Sequence, residues 1–192
     1  MKKDKEWYNE ESKKNDVSVY YNGEYKKRND ILISMIKALM PEEAKILDLA
    51  AGSTYIAEEL INLASVKEYL WNDFNENISK NITDKISNKN FIINLEDANS
   101  ENINFSKYNI FICVSLEHIE QDIEILKKLN KGTLVAICSP NYNAKSHVRY
   151  FENEDLFRER YKEIIDEKIF STISKTKKIK ILKKYILCGF IK

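Results

Sequence analysis

Two histidines, His118 and His147, are the only ones in the chain, and each lies just beyond a run of apolar residues. An imidazole titrates close to neutrality, so it can take a proton from an acceptor group without extreme tuning. His118 is preceded by Glu117 and follows the run 108–114; His147 follows the run 133–138 and sits in the polar, arginine-containing loop 143–151. If the two runs are strands leaving one sheet edge, the three side chains converge there. His147 is the candidate general base, His118 the second, and Glu117 a carboxylate that orients them. A satisfied structural histidine is the competing reading of His118. A divalent metal could replace the base by lowering the acceptor's pKa, but Glu117 and His118 alone are too few ligands to claim one, and no metal ligand is assigned.

The other chemistry-bearing stretch is Ala44-Lys45-Ile46-Leu47-Asp48-Leu49-Ala50-Ala51-Gly52-Ser53-Thr54, a buried-type strand that runs into an acid and then a turn of small residues. Small residues let backbone N–H groups approach a ligand and let the next helix pack closely. Asp48 can accept hydrogen bonds from a ligand's amino group or hydroxyl. A dinucleotide fingerprint would put Gly-x-Gly-x-x-Gly here and its acid about twenty residues later, without an acid at the first strand's end. Asp73 follows at the end of the next apolar run, one strand-helix-strand unit on, where a ribose-binding acid belongs; its alternative reading is a turn residue. Asp97 and Ala98 close the following apolar run, with a plain acidic loop as the alternative.

The elements that must carry these residues alternate between apolar runs and helical patterns, which implies parallel strands with helical crossovers. Helices are expected at 25–40, 55–63, 78–86, 122–129 and 155–161, and strands at 45–49, 68–72, 90–94, 108–114, 133–138, 164–174 and 180–192. Pro41 ends the first helix and Pro140 stops the fifth strand. The last two strands have no helix between them and form an antiparallel hairpin. Thr54 is a candidate cap for the second helix.

These stations together resemble the class I S-adenosylmethionine-dependent methyltransferases. The first motif of that family, hydrophobic-hydrophobic-acid-x-Gly-x-Gly-x-Gly, matches Ile46 to Thr54 with Gly52 kept and with Ala50 and Thr54 in place of two glycines. The change at Ala50 is mild if its φ stays negative. The phrase Val114-Ser115-Leu116-Glu117-His118-Ile119, followed by Asp122, is similar to the Leu-Glu-His phrase at the fourth strand's end in many small-molecule enzymes of this class. The resemblance implies an α/β, Rossmann-like seven-stranded sheet: five parallel strands plus a C-terminal antiparallel hairpin, with helices on both faces. It implies S-adenosyl-L-methionine as cofactor, held by Asp48, Ala50, Gly52, Asp73, Phe74, Asp97, Ala98, Ser115 and Leu116. Tyr21 and Arg28 would reach it from an N-terminal segment that lies over the pocket together with Trp7, Tyr8, Tyr20 and Tyr25. One domain, 1–192, is expected, with a helical cap over 1–40 and the core over 41–192.

With 192 residues, 43% of them hydrophobic, the chain can bury one sizeable core, and a net charge of +1 makes no global claim on nucleic acid. The basic run 175–184 reads as a hairpin edge whose lysines discourage sheet association rather than as an RNA-facing stripe. Three separated cysteines inside apolar runs read as buried thiols. Residues 1–6 are polar with no apolar stretch behind them, and no run is of membrane-spanning length, so a cytoplasmic protein is expected. Heavy use of Lys, Asn and Ile matches the codon bias of an AT-rich genome. The expected activity is methyl transfer to a hydroxyl, less readily an amine, of a small molecule, sugar or glycan end. An RNA or protein methyltransferase, a non-catalytic cofactor-binding scaffold and a nicotinamide enzyme are the alternatives.

Overall fold

The computed structural model describes residues 21–75, 85–98, 101–177 and 180–192. Trp7, Tyr8, Tyr20 and nearly all of the helix expected at 78–86 lie outside the described residues.

Helix α1 (Gly23–Leu39) leads into β1 (Ala44–Leu49), α2 (Tyr55–Leu60), β2 (Val66–Asn72) and β3 (Phe91–Asn94). Then come β4 (Ile110–Cys113), α3 (Asp122–Lys127), β5 (Leu134–Pro140), α4 (Glu154–Tyr161) and the strands β6 (Ile165–Lys177) and β7 (Lys180–Ile191). The sheet runs β3-β2-β1-β4-β5-β7-β6. Its first five strands are parallel, and β7 pairs antiparallel with both β5 and β6. This is the seven-stranded α/β sheet with a terminal hairpin that the apolar runs imply.

Central strands buried on both faces read as continuous apolar runs, because each face is covered by its own layer. In β1, Ile46 belongs to the core with α1, while Leu47 and Leu49 belong to the core with α3 and α4. Helix α1 covers the first face with Leu32, Ile33, Met35 and Ile36, at helical spacing. It stops at Leu39 because Pro41 disfavours helical backbone in the residue before it.

Two helices are shorter than their sequence patterns. The chain after α2 folds into tight turns, with Leu63 N–H on Leu60 O and Val66 N–H on Leu63 O, because it must enter β2 at Val66. The end of α3 tightens similarly through Lys128 and Leu129. Strand β4 is also shorter than 108–114. Residues 105–107 form a 3₁₀ turn just before it, and Leu116–His118 forms another just after.

Candidate active site

The turn after β1 is held down from β2. Ala51 N–H donates to Asn72 O at 3.0 Å, and Gly52 N–H donates to Asp73 Oδ2 at 2.9 Å. Trp71 Nε1–H donates to Ser53 O at 2.9 Å. Gly52 has φ 66°, a left-handed conformation that glycine adopts without steric cost. Ala50 has φ 51°, so the condition under which its replacement of glycine would be mild is not met. An alanine in the left-handed region costs about 1–2 kcal/mol, and the hydrogen bonds from β2 keep it there. Thr54 does not cap α2 with its side chain. Its hydroxyl instead meets Glu58 Oε1 at 2.5 Å and the Tyr21 hydroxyl at 2.8 Å, which pins Tyr21 over the start of that helix.

Asp48 is 1% exposed. Its Oδ2 accepts from the Tyr69 hydroxyl at 2.7 Å, while Oδ1 is buried with no hydrogen-bond partner among the described residues. Burial pushes this carboxyl up to about 7; the Tyr69 hydroxyl opposes the rise, Asp73 adds to it and Arg28 opposes it. Asp73 is buried at the end of β2, and burial raises its carboxyl as well. Besides Gly52 it accepts from Asn75 N–H at 2.9 Å, an Asx turn that also serves the local backbone. Phe74 beside it is half-buried. Asp97 is exposed and Ala98 buried at the exit of β3. That exit is tied back by Asn72 Nδ2–H on Glu96 O at 2.9 Å.

Helix α1 brings a cation to the same edge. Arg28 is 4% exposed; it donates twice to Asn29 Oδ1, at 3.0 and 2.7 Å, and its Nη1 reaches Val114 O at 3.4 Å. A second cation, Lys184, was not legible as part of the site because it belongs to the basic run. Its Nζ lies 3.9 Å from the Tyr25 ring centroid. Burial lowers its pKa first and Arg28 lowers it further, while Cys138 and Glu117 act against that. Period-two alternation would have found it, because Ile186 and Cys188, on the same face of β7, are core residues.

Beyond β4, Leu116 is buried and Ser115 half-buried. Glu117, His118 and His147 are brought together, as their positions past two strand ends require. The loop after β5 is stapled to the β4 exit by Val148 N–H on Glu117 O (2.9 Å) and by Arg149 on Ile119 O and Glu120 O (2.6 and 2.7 Å). The imidazole rings meet edge to face at 5.1 Å. Nε2 of His118 and of His147 lie 3.9 and 4.0 Å from Glu117 Oε1. Nδ1 of His118 lies 3.0 Å from Ser146 O, and Nδ1 of His147 lies 3.1 Å from Tyr142 O. Burial lowers both imidazoles and raises Glu117.

Seven buried side-chain polar atoms lack a hydrogen-bond partner among the described residues. Two of them, on Glu24 and Glu68, are in ion pairs with Lys175 and Lys107. The other five are Asn29 Nδ2, Asp48 Oδ1, Asn72 Oδ1, Glu117 Oε2 and Ser139 Oγ. Four of them stand at or just past the carboxyl ends of β1, β2, β4 and β5, and Asn29 faces that edge from α1 beside Arg28. Ligands of open α/β sheets bind at the carboxyl edge, and buried groups without partners cost stability unless something fills them.

No sequence-family model matches the chain, and no curated protein matches it by sequence. Solved structures do match by shape. A S-adenosylmethionine-dependent methyltransferase from Methanosarcina mazei superposes with a TM-score of 0.62 at 13% identity, covering 82% of this chain and 96% of that one. The N-methyltransferase NodS from Bradyrhizobium japonicum, bound to S-adenosylhomocysteine, gives 0.61 at 12% identity, covering 86% and 87%. The YcgJ protein from Bacillus subtilis gives 0.64 at 12% identity, covering 84% and 97%. The fold is the Rossmann-like methyltransferase fold. Among the described residues, no helix is long and apolar enough to cross a membrane.

Proposed function

We propose that the chain is an S-adenosylmethionine-dependent methyltransferase acting on a hydroxyl of a small molecule, sugar or glycan end. The observation that carries this reading is the row of partnerless buried polar atoms along the carboxyl edge of a methyltransferase-type sheet. The amino group of the cofactor's amino-acid part fits Asp48 Oδ1, and a cation there removes the cost of burying that carboxylate. Arg28 complements the cofactor's carboxylate. Asp73 faces the ribose and Asp97 with Ala98 the adenine, while Gly52 lets the backbone approach. Ser115 and Leu116 lie on the sulfonium side, next to the acceptor cluster.

Transfer is an in-line displacement. The acceptor oxygen's electron pair forms the new bond to the methyl carbon, and the carbon–sulfur bond breaks with its pair left on sulfur. The sulfonium is already activated, so positioning supplies much of the rate. The acceptor's proton is drawn off at the Glu117–His118–His147 cluster. Nε2 of His147 is the atom able to take it in the ion-free protein, because Nδ1 is engaged by Tyr142 O. The direct test is transfer of a labelled methyl group to a panel of hydroxylated and amino metabolites. With an acceptor in hand, His147→Ala is expected to cut kcat by about 10²-fold or more while cofactor affinity stays within about twofold. Equal loss of both, or of neither, removes His147 from the chemistry.

A further inference from the structure

We propose that Glu117, His118 and His147 bind one divalent transition-metal ion at the acceptor end of the site. From sequence, Glu117 and His118 are only two ligands; the loop after β5 supplies the third. One donor atom from each of the three side chains lies within 4.8 Å of the others.

The tautomers point the same way. Each Nδ1 faces a backbone carbonyl, Ser146 O or Tyr142 O, and only an N–H makes that contact favourable. The proton therefore sits on Nδ1, and each Nε2 presents a lone pair toward Glu117 Oε1. This is the usual second-shell arrangement of metal-ligating histidines, with Nδ1–H on a carbonyl and Nε2 on the ion. Two imidazole lone pairs facing a carboxylate repel one another, and a cation between them turns that repulsion into coordination. Glu117 Oε2 is buried without a hydrogen-bond partner among the described residues, which leaves a carboxylate lone pair for the ion.

Ligands about 2.1 Å from an ion at tetrahedral angles stand about 3.4 Å apart. The observed 3.9 and 4.0 Å thus close by about half an ångström on binding. Two imidazoles and one carboxylate favour Zn²⁺, Ni²⁺ or Fe²⁺ over Mg²⁺ and Ca²⁺, which prefer oxygen ligands. Three protein ligands leave a position open, the mark of a catalytic rather than a structural centre.

The role assigned to the ion rests on the methyl-transfer reading, but its binding does not. A hydroxyl coordinated at the open position loses its proton to water more easily, and its oxygen then attacks the methyl carbon as above. His147 is then a ligand, and the ion takes over the activation that the imidazole would otherwise supply.

The two histidines make the test specific, because a tag-free chain labelled at histidine gives only two imidazole signals. Titration of that chain with Zn²⁺ is expected to shift both signals together and to saturate at one ion per chain. Equimolar Mg²⁺ should shift neither. Glu117→Gln and His118→Ala, each checked for an unchanged fold by thermal melting, should abolish saturation at one equivalent. A wild-type titration that moves one signal or none overturns the proposal, and so does a Glu117→Gln chain that titrates like wild type. S-adenosylhomocysteine is titrated into the same sample. A chain that binds it but not Zn²⁺ loses only the metal site, and one that binds Zn²⁺ but not the cofactor product loses only the methyl-transfer reading.

Discussion

Asp122 and Asp48 are buried to the same degree, each 1% exposed, yet the protein treats them oppositely. Asp122, at the start of α3, accepts two hydrogen bonds from Arg160 (2.9 and 2.7 Å) and one from the Tyr161 hydroxyl (2.7 Å), and Arg149 lies 2.7 Å away. Burial alone would raise its carboxyl, but the Arg160 and Tyr161 hydrogen bonds and the two guanidinium charges bring it below the usual value. Asp48 has one hydroxyl donor and a second oxygen with no hydrogen-bond partner among the described residues, and it is raised to about 7. Glu117 resembles Asp48, with a partnerless oxygen and a raised carboxyl. A carboxylate that builds the fold finds its cations within the chain. Asp48 and Glu117, each with one oxygen that accepts no hydrogen bond among the described residues, stand at the edge where a ligand binds.

The contrast can be broken first on stability. Asp122→Ala strands two guanidinium groups and a tyrosine hydroxyl and should cost about 3 kcal/mol in urea unfolding at pH 7, whereas Glu117→Gln should cost nothing measurable. Next in size is the effect on ligand binding. Asp48→Asn is expected to weaken S-adenosylhomocysteine by roughly ten- to a hundredfold in calorimetry, since a hydrogen bond to a charged group is worth about 1.5–3 kcal/mol. Asp122→Asn should leave that affinity alone.

The pH dependences separate the two acids further. Asp48 has its folded pKa raised, so stability linked to it is present below the unfolded value of 3.8 and declines as pH rises toward about 7. Asp122 has its folded pKa lowered, so its contribution holds above 3.8 and is lost on further acidification. Cofactor affinity should fall as pH drops through about 7, and Asp48→Asn should flatten that profile. The smallest effect concerns the turn beside Asp48. Ala50→Gly relieves a left-handed alanine and should raise stability by up to about 1 kcal/mol in thermal melts.

Much of this was legible in the sequence because the sheet's period and the strand-end residues report burial and edge directly. The seven strands, the terminal hairpin and the meeting of Glu117, His118 and His147 follow from apolar runs and their exits, whereas the order of the strands in the sheet is set by long-range pairing. The arginine cage of Asp122 was not legible. Arg149 and Arg160 come from a loop and from α4, and their approach depends on tertiary packing that no local pattern encodes. The sign of φ at Ala50 was not legible because the β2 hydrogen bonds that hold the turn are long-range. Lys184 was hidden by counting charges along a basic run rather than by following which face of β7 each one occupies.

The central claim is that the partnerless atoms at the carboxyl edge await the methyl donor. Titration of the full chain with S-adenosylhomocysteine by isothermal calorimetry at pH 8 tests it most directly. The account predicts saturable binding at one site per chain, strongly weakened by Asp48→Asn. No saturable heat and no thermal shift with a folded wild-type chain would contradict it and would leave a scaffold that has kept the fold without the cofactor.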